Sequence, residues 1–138
     1  MDRIRLILPT KPEYVSLARL TIASVANNMG FSIGDVEDLK VAVSEACTNA
    51  LNHSMNPDST YDLIYIVEEN KKLSFTVTDR GVGFEPETVV EPDLNGKKVN
   101  GFGLFIIKSL MDRVDIVSEK GAGTSITMIK NLSAANEI

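Results

Sequence analysis

Residues 41–53 read VAVSEACTNALNH, and this stretch predicts the second half of an amphipathic helix. The apolar side chains of the whole helix recur at the helical period, and they are Val36, Leu39, Val43, Ala46 and Ala50. Glu45 and Asn49 lie four residues apart, so their side chains leave the same face one turn from each other, and His53 continues that row. The helix therefore carries a polar row opposite its apolar stripe.

The chain on both sides of this helix alternates between patterns typical of strands and of helices. Ser32 followed by Asp35 resembles a capping box, which places the start of the central helix there and its end near Ser54. A first helix ends before Gly30. Periodicity and turn residues predict strands over residues 3–8, 61–68, 73–78, 113–119 and 124–130, and helices over residues 13–28, about 33–54 and about 103–111.

This order of elements predicts one α+β domain spanning residues 1–138. We expect a two-layer sandwich in which a mixed, mainly antiparallel sheet is covered on one face by helices. Residues 80–101 contain glycines and prolines without sustained periodicity, so they predict a lid over a binding site, with a disordered linker as the alternative. Residues 131–138 are expected to form a loose tail.

Composition excludes several classes of protein. The formal net charge of −5 argues against nucleic-acid binding, which needs clustered lysine and arginine. Every apolar run is too short to span a bilayer, and the first residues lack the pattern of a secretory signal, so we expect a cytoplasmic protein without a membrane partner. The single cysteine, Cys47, is expected to be a reduced, buried thiol.

Glu45 and Asn49 form the first candidate for chemistry. A carboxamide oxygen ligates hard cations such as magnesium, and a carboxylate on the same helix face can deprotonate a nucleophile. Asn49 is therefore the candidate metal ligand and Glu45 the candidate general base. The alternative is that Glu45, Asn49, Asn52 and His53 simply form the solvated face of an amphipathic helix.

The run Asp79-Arg80-Gly81-Val82-Gly83-Phe84 follows a predicted strand and forms the second candidate. A carboxylate at a strand end can accept a hydrogen bond from the exocyclic amine of adenine, whereas guanine presents an oxygen at that position. Gly81 and Gly83 would allow the backbone to approach a ligand closely. Asp79 would thus select ATP over GTP. The alternative is a sharp turn that favours Asp and Gly without any ligand.

Two further glycine-containing runs are candidates for nucleotide binding. Gly101, Phe102, Gly103 and Leu104 precede the predicted third helix, where free backbone amides attract phosphate. Thr124 follows two glycines in the closing hairpin and is a candidate donor toward the nucleotide, although a plain hairpin turn explains those glycines as well. Each run alone is weak evidence, but their order along the chain is a strong indication of an ATP site.

That order resembles the ATPase superfamily of gyrase, a heat-shock chaperone, bacterial histidine kinases and MutL. Within it, the run Ala42-Val43-Ser44-Glu45-Ala46-Cys47-Thr48-Asn49-Ala50 resembles the anti-sigma factor serine kinases of sporulation and stress control. The resemblance implies that Asn49 binds magnesium, Glu45 is the catalytic base, Asp79 reads adenine, and His53 lies inside the ATP motif. The segment 18–23 is similar to the one with which those kinases contact their partners, which makes Arg19 a partner contact. The alternative is that Arg19 snorkels or pairs weakly with a neighbouring acid.

The function implied by this resemblance is that of an anti-sigma factor and serine/threonine protein kinase with ATP and Mg²⁺ as cofactors. It would sequester an RNA polymerase sigma factor and phosphorylate a small antagonist protein on serine, and it would form a homodimer. Two alternatives stay open at this point. One is a non-catalytic binding module gated by ATP, and the other is a switch kinase within a stress-signalling assembly.

Overall fold

The computed structural model describes residues 1–54, 56, 58–81 and 99–133. The strands are β1 (Asp2–Pro9), β2 (Thr60–Glu68), β3 (Lys72–Asp79), β4 (Arg113–Glu119) and β5 (Gly123–Asn131), and the helices are α1 (Val15–Met29), α2 (Ile33–His53) and α3 (Val99–Leu110), with a 3₁₀ turn at Pro12–Tyr14. Most of the predicted lid, residues 82–98, and most of the predicted tail, residues 134–138, lie outside the described residues.

The five strands form one sheet in the order β1-β2-β3-β5-β4. Every described strand pair is antiparallel, so the predicted α+β fold is confirmed and the sheet is purely antiparallel rather than mixed in the described part of the chain. Hairpins join β2 to β3 and β4 to β5, whereas the chain passes through α1 and α2 between β1 and β2 and through α3 between β3 and β4. This crossing places β5 beside β3 and brings Asp79 opposite Thr124.

Alternation along the strands decides which face of the sheet is covered. In β3, Leu73, Phe75 and Val77 are buried, whereas the residues between them are partly exposed. The largest fully buried side chains come from the sheet and from all three helices, and they are Tyr61, Tyr65, Phe75, Ile22, Leu39, Leu63, Leu73, Leu104, Ile107, Ile126, Met128 and Val43. The helices therefore form the second layer on one face, as predicted.

The ends of α1 and α2 follow local sequence rules. Gly30 adopts a left-handed φ of 94° and ends α1, a conformation that glycine reaches without steric penalty. The Ser32 hydroxyl accepts a hydrogen bond from the Asp35 amide at 3.1 Å, which caps α2 as predicted. Among the described residues, no helix is both long and apolar enough to cross a membrane.

Cys47 lies inside the core on α2, as predicted. Burial raises its pKa to about 11, while the neighbouring Tyr61 hydroxyl opposes that rise. The thiol therefore stays protonated near neutral pH and is a poor nucleophile.

α3 begins at Val99, four residues before the predicted start at Gly103. The prediction placed Gly101 in the loop and Gly103 at the start of the helix. Glycine disfavours helix interiors by about 1 kcal/mol. Packing outweighs that preference here. Leu104 and Ile107 are buried against the core and anchor the helix, so Gly101 lies in its first turn and Gly103 in its second.

The turn between β4 and β5 contains two glycines in the left-handed region, Gly121 with φ 87° and Gly123 with φ 100°. A methyl group on Gly121 would meet no atom within 4 Å, whereas one on Gly123 would overlap the Asp79 carbonyl oxygen. Gly123 is therefore needed for a close approach of β5 to the end of β3, and Gly121 only for the turn.

We expect Gly123→Ala to lower the free energy of unfolding by about 1–3 kcal/mol more than Gly121→Ala, because overpacking adds to the shared cost of a left-handed φ. Urea unfolding of the two variants measures the difference. Equal losses would contradict the close contact between Gly123 and Asp79.

Candidate functional site

Glu45 and Asn49, from the polar row of α2, line a cavity of about 210 Å³ between α2 and α3, which we call the α2–α3 cavity. It is lined by Glu45, Thr48, Asn49, Asn52, Phe102, Gly103 and Ile106. The two residues predicted to perform chemistry, Glu45 and Asn49, thus share one cavity with part of the predicted phosphate-binding run. Only the helical spacing of α2 and the docking of α3 bring these residues together.

Asn49 is a polar side chain in a buried position, with 7% of its surface exposed. Its Oδ1 atom is buried and has no hydrogen-bond partner among the described residues. An unpaired buried carbonyl oxygen costs about 1–3 kcal/mol, and such groups call for an explanation in a ligand or ion. A cation held at this oxygen would remove the cost.

The described residues contain no group of three or more His, Cys, Asp or Glu side chains that could hold a metal ion by themselves. Mg²⁺ is commonly held by one or two protein oxygens together with substrate phosphates and water. One Asn49 oxygen without a partner in the described part of the chain fits a metal that arrives with a nucleotide better than a resident metal centre.

Glu45 is half-buried and lines the same cavity as Asn49. A methyl group on Gly103 would come within 3.0 Å of its Oε2 atom, which is closer than ordinary side-chain contacts allow. The glycine at position 103 therefore lets α3 pack directly beside the carboxylate. This contact differs from the predicted role of Gly103 as the amide-bearing start of a helix, because α3 starts four residues earlier.

Asp79 is the last residue of β3 and only 6% exposed. Its Oδ1 atom accepts a hydrogen bond from the Gly81 amide at 2.8 Å. Burial raises the pKa of the Asp79 carboxyl, whereas the Gly81 amide, the neighbouring His53 and the Thr124 amide each act to lower it. The carboxylate is thus held in place by a backbone amide and kept largely out of water.

His53 and Gly81 pack against each other beside Asp79. A methyl group on Gly81 would overlap the His53 carbonyl oxygen, so the chain after β3 touches the end of α2 directly. Gly123 of β5 makes a second close contact, with the Asp79 carbonyl. The backbone around Asp79 therefore packs closely against both α2 and β5. Both glycines allow a close backbone approach, which is the property predicted for Gly81, although the observed neighbour is protein rather than ligand.

A second cavity, of about 70 Å³, opens beside Asp79 and is called here the Asp79 cavity. It is lined by Thr10, Ala50, Ser54, Asn56, Ser59, Thr60, Asp79, Arg80 and Gly81. Its hydroxyl groups form a network, with Ser54 Oγ 2.7 Å from Ser59 Oγ and Thr10 Oγ1 3.1 Å from Ser59 Oγ. Sequence reasoning missed this network because its members come from three separate segments.

The other predicted nucleotide-binding residues have the following places. Phe102 lines the α2–α3 cavity and is 43% exposed, whereas Leu104 is buried in the hydrophobic core. Thr124 is buried opposite Asp79, and its hydroxyl lies 2.8 Å from that of Ser118. Gly101 belongs to the first turn of α3. Gly83 lies outside the described residues, and the nucleotide roles of all five stay predictions.

Arg19 has a contact within the chain itself. Its guanidinium donates a hydrogen bond to the Ser44 hydroxyl at 3.2 Å, and that hydroxyl donates to the Lys40 carbonyl at 2.7 Å. The side chain is half-buried between α1 and α2. The observed partner is a serine hydroxyl and not the neighbouring acid of the alternative, and the predicted partner contact of Arg19 stays a prediction.

Sequence reasoning also passed over two residues of the α2–α3 cavity. Thr48 was given no role, and Asn52 was named only as part of a solvated face. Both follow Glu45 at helical spacing, three and seven residues later, and both line the cavity. The same periodicity that paired Glu45 with Asn49 could have found them.

Comparison with known proteins identifies the family of the chain. The family described as "Histidine kinase-like ATPase domain" matches residues 8–130. The chain is 38% identical to the serine-protein kinase RsbW of Listeria monocytogenes serotype 4a, over 99% of this chain and 92% of the relative. It is 42% identical to the serine-protein kinase RsbW of Oceanobacillus iheyensis, over 87% of this chain and 82% of the relative.

Solved structures share the fold at lower sequence identity. The RsbU and RsbW domains of Rv1364c from Mycobacterium tuberculosis superpose with a TM-score of 0.72 at 18% identity, covering 96% of this chain and 33% of that one. The histidine kinase domain of the blue-light activated kinase EL346 from Erythrobacter litoralis superposes with a TM-score of 0.60 at 20% identity, covering 94% of this chain and 64% of that one. The chain belongs to the histidine kinase-like ATPase domain family and, within it, to the family of RsbW serine-protein kinases.

Proposed function

We propose that this chain binds ATP with Mg²⁺ and transfers the terminal phosphate to a serine of a partner protein. The observation that carries the proposal is the buried Oδ1 of Asn49, which has no hydrogen-bond partner among the described residues and lies in the same cavity as Glu45. One group suits a metal bound to phosphates, and the other suits the removal of a proton from a hydroxyl. The kinase names of the relatives support the same reaction.

Asp79 would bind the adenine base. Its carboxylate accepts hydrogen bonds, so it favours the exocyclic amine of adenine over the oxygen that guanine presents. The Gly81 amide already orients one carboxylate oxygen at 2.8 Å, and burial keeps water from competing for the other. The purine would therefore lie at the end of α2 and the triphosphate would extend toward the α2–α3 cavity.

Within the α2–α3 cavity, Asn49 Oδ1 would hold the metal and Glu45 would accept the proton of the serine hydroxyl as that oxygen attacks the terminal phosphorus. When bound, Mg²⁺ would neutralise charge on the phosphate oxygens. The remaining contribution of the protein is positioning, because phosphoryl transfer needs little covalent chemistry from its side chains. Gly103 lets α3 close directly against Glu45 and so limits where that carboxylate can lie.

We further propose that the partners are an RNA polymerase sigma factor, which the chain sequesters, and a small antagonist protein, which it phosphorylates. A phosphoserine adds about −1.5 to −2 units of charge. This chain carries a net charge of −5, so a phosphorylated antagonist would be repelled and would leave the kinase free to bind sigma factor. Arg19 on α1 is a proposed contact to these partners, and a homodimer in the cytoplasm is the proposed form.

The direct test is incubation of the purified chain with ATP, Mg²⁺ and candidate antagonist proteins from the same genome. We expect one antagonist to gain a single phosphate on serine, detected by mass spectrometry, and the transfer to stop when magnesium is chelated. ATP binding without transfer to any of them would favour the non-catalytic binding module instead.

Glu45→Gln should keep ATP affinity within about twofold and slow phosphorylation by about 10²–10⁴-fold, because the isosteric amide cannot accept the proton. Separate titrations of nucleotide binding and of transfer rate distinguish the two effects. Glu37→Gln is the matched control. Glu37 lies on the same helix but does not line the α2–α3 cavity, and its Oε1 atom lies 3.2 Å from Lys40 Nζ. Normal transfer by the Glu45 variant would refute its role as the base.

Asp79→Asn should weaken ATP binding by about tenfold or more, because the amide replaces an acceptor with a donor at one oxygen. The same variant should be more stable than the wild type at neutral pH. The folded-state pKa of Asp79 is raised, so its contribution favours folding below the ordinary pKa of 3.8 and is lost as pH rises through the folded pKa.

Urea unfolding from acidic to neutral pH, with calorimetry for ATP, measures both parts of this prediction. The stability advantage of Asp79→Asn should grow as pH rises above 3.8. Asp58→Asn, at an exposed position, makes the same chemical change and should show neither effect. A variant that binds ATP as tightly as the wild type would remove Asp79 from the adenine site.

A further inference from the structure

Asn52 lies in the proposed site but has no role in the proposed function. It lines the α2–α3 cavity seven residues after Glu45 and three after Asn49, on the same face of α2. Its side chain is exposed at this point of the helix, and within the described part of the chain its carboxamide makes no hydrogen bond. Asn52 therefore presents two N–H donors and one acceptor to whatever enters the cavity.

The two cavities separate the two ends of the proposed nucleotide. The Asp79 cavity is lined from α2 by Ala50 and Ser54, whereas the α2–α3 cavity is lined by Asn49 and Asn52. Since Asp79 binds the base in the proposed function, Asn52 lies on the phosphate side of α2. It shares that side with Glu45, which acts where the terminal phosphate is transferred.

The charge of the α2–α3 cavity makes a donor at Asn52 important. The described residues that line it include the acid Glu45 but no lysine or arginine. A terminal phosphate brought beside a carboxylate needs hydrogen-bond donors to offset the repulsion, and hydrogen bonds to charged groups are about twice as strong as neutral ones. Thr48 and Asn52 carry the neutral donors of this lining that are not ligands to the metal in the proposed function.

We propose that the Asn52 carboxamide donates a hydrogen bond to the terminal phosphate of ATP and thereby makes the site prefer ATP to ADP. The proposal rests on the proposed function, because it takes the α2–α3 cavity as the phosphate end of the site. It concerns a residue to which neither the motifs nor the relatives' names give a role.

Fluorescent derivatives of ATP and ADP, titrated with Mg²⁺ into the wild type and two Asn52 variants, test the proposal. Asn52→Asp keeps the shape but replaces the donor with a negative charge, so we expect ATP affinity to fall by about tenfold or more and ADP affinity by less than about threefold. Asn52→Lys adds a cation to a cavity whose described lining residues include no lysine or arginine, so ATP should bind several-fold more tightly than to the wild type. A gain in affinity is difficult to produce by damage to the fold.

Asn28→Asp is the matched control because it makes the same chemical change at an exposed position near the end of α1. That position adjoins the start of α2, and α2 has 21 residues, so the control lies about 30 Å from Asn52 along the helix. We expect its ATP and ADP affinities to match those of the wild type.

Each outcome has one meaning. Equal losses of ATP and ADP affinity with Asn52→Asp, or no gain with Asn52→Lys, would overturn the contact between Asn52 and the terminal phosphate while leaving the proposed function intact. If the wild type binds neither nucleotide, the proposed function fails and the role of Asn52 fails with it.

Discussion

The structure depends on the packing of α2 across the sheet, which leaves two polar groups buried at the place where that helix ends. Asn49 has an oxygen without a partner among the described residues, and Asp79 has a carboxyl whose pKa is raised by burial. Each arrangement lowers stability in the absence of ligand, by about 1–3 kcal/mol for an unpaired buried group. A protein selected only for stability would replace both with apolar side chains, so their presence supports the proposal that a ligand completes them.

Close contacts between backbones keep those groups in place. Gly81 touches the His53 carbonyl and Gly123 touches the Asp79 carbonyl, so the end of β3 has little freedom to move. At the far end of α3, Lys130 Nζ donates to the Leu110 carbonyl at 2.7 Å and lies 3.8 Å from Asp35 Oδ1 of α2. One cation thus joins β5, α3 and α2, and its charge interacts favourably with the carboxyl end of α3. The Lys130 contacts hold α3 beside α2, and these are the two helices that line the α2–α3 cavity.

Much of this architecture could be predicted from the sequence because local rules govern it. The period-two strands, the Ser32 cap and the left-handed Gly30 are decided by residues that lie close together in the chain. The start of α3 was predicted four residues too late, because Leu104 and Ile107 gain more from burial than the glycines lose in helix propensity. The pairing of Glu45 with Asn49 followed from helical spacing, whereas the contact between Gly103 and Glu45 depends on how two helices dock. The hydroxyl network of Thr10, Ser54 and Ser59 could not be predicted from the sequence either, because its members come from separate segments that only the fold brings together.

The central claim is that Asp79 binds the adenine amine while Asn49 holds the metal of the same nucleotide. A crystal structure of the chain with a non-hydrolysable ATP analogue and Mg²⁺ tests it most directly. The account predicts the exocyclic nitrogen of adenine at hydrogen-bond distance from an Asp79 oxygen, about 2.7–3.2 Å, and a magnesium ion about 2.1 Å from Asn49 Oδ1. A nucleotide bound with its purine away from Asp79, or with its metal ligated by other residues, would contradict it.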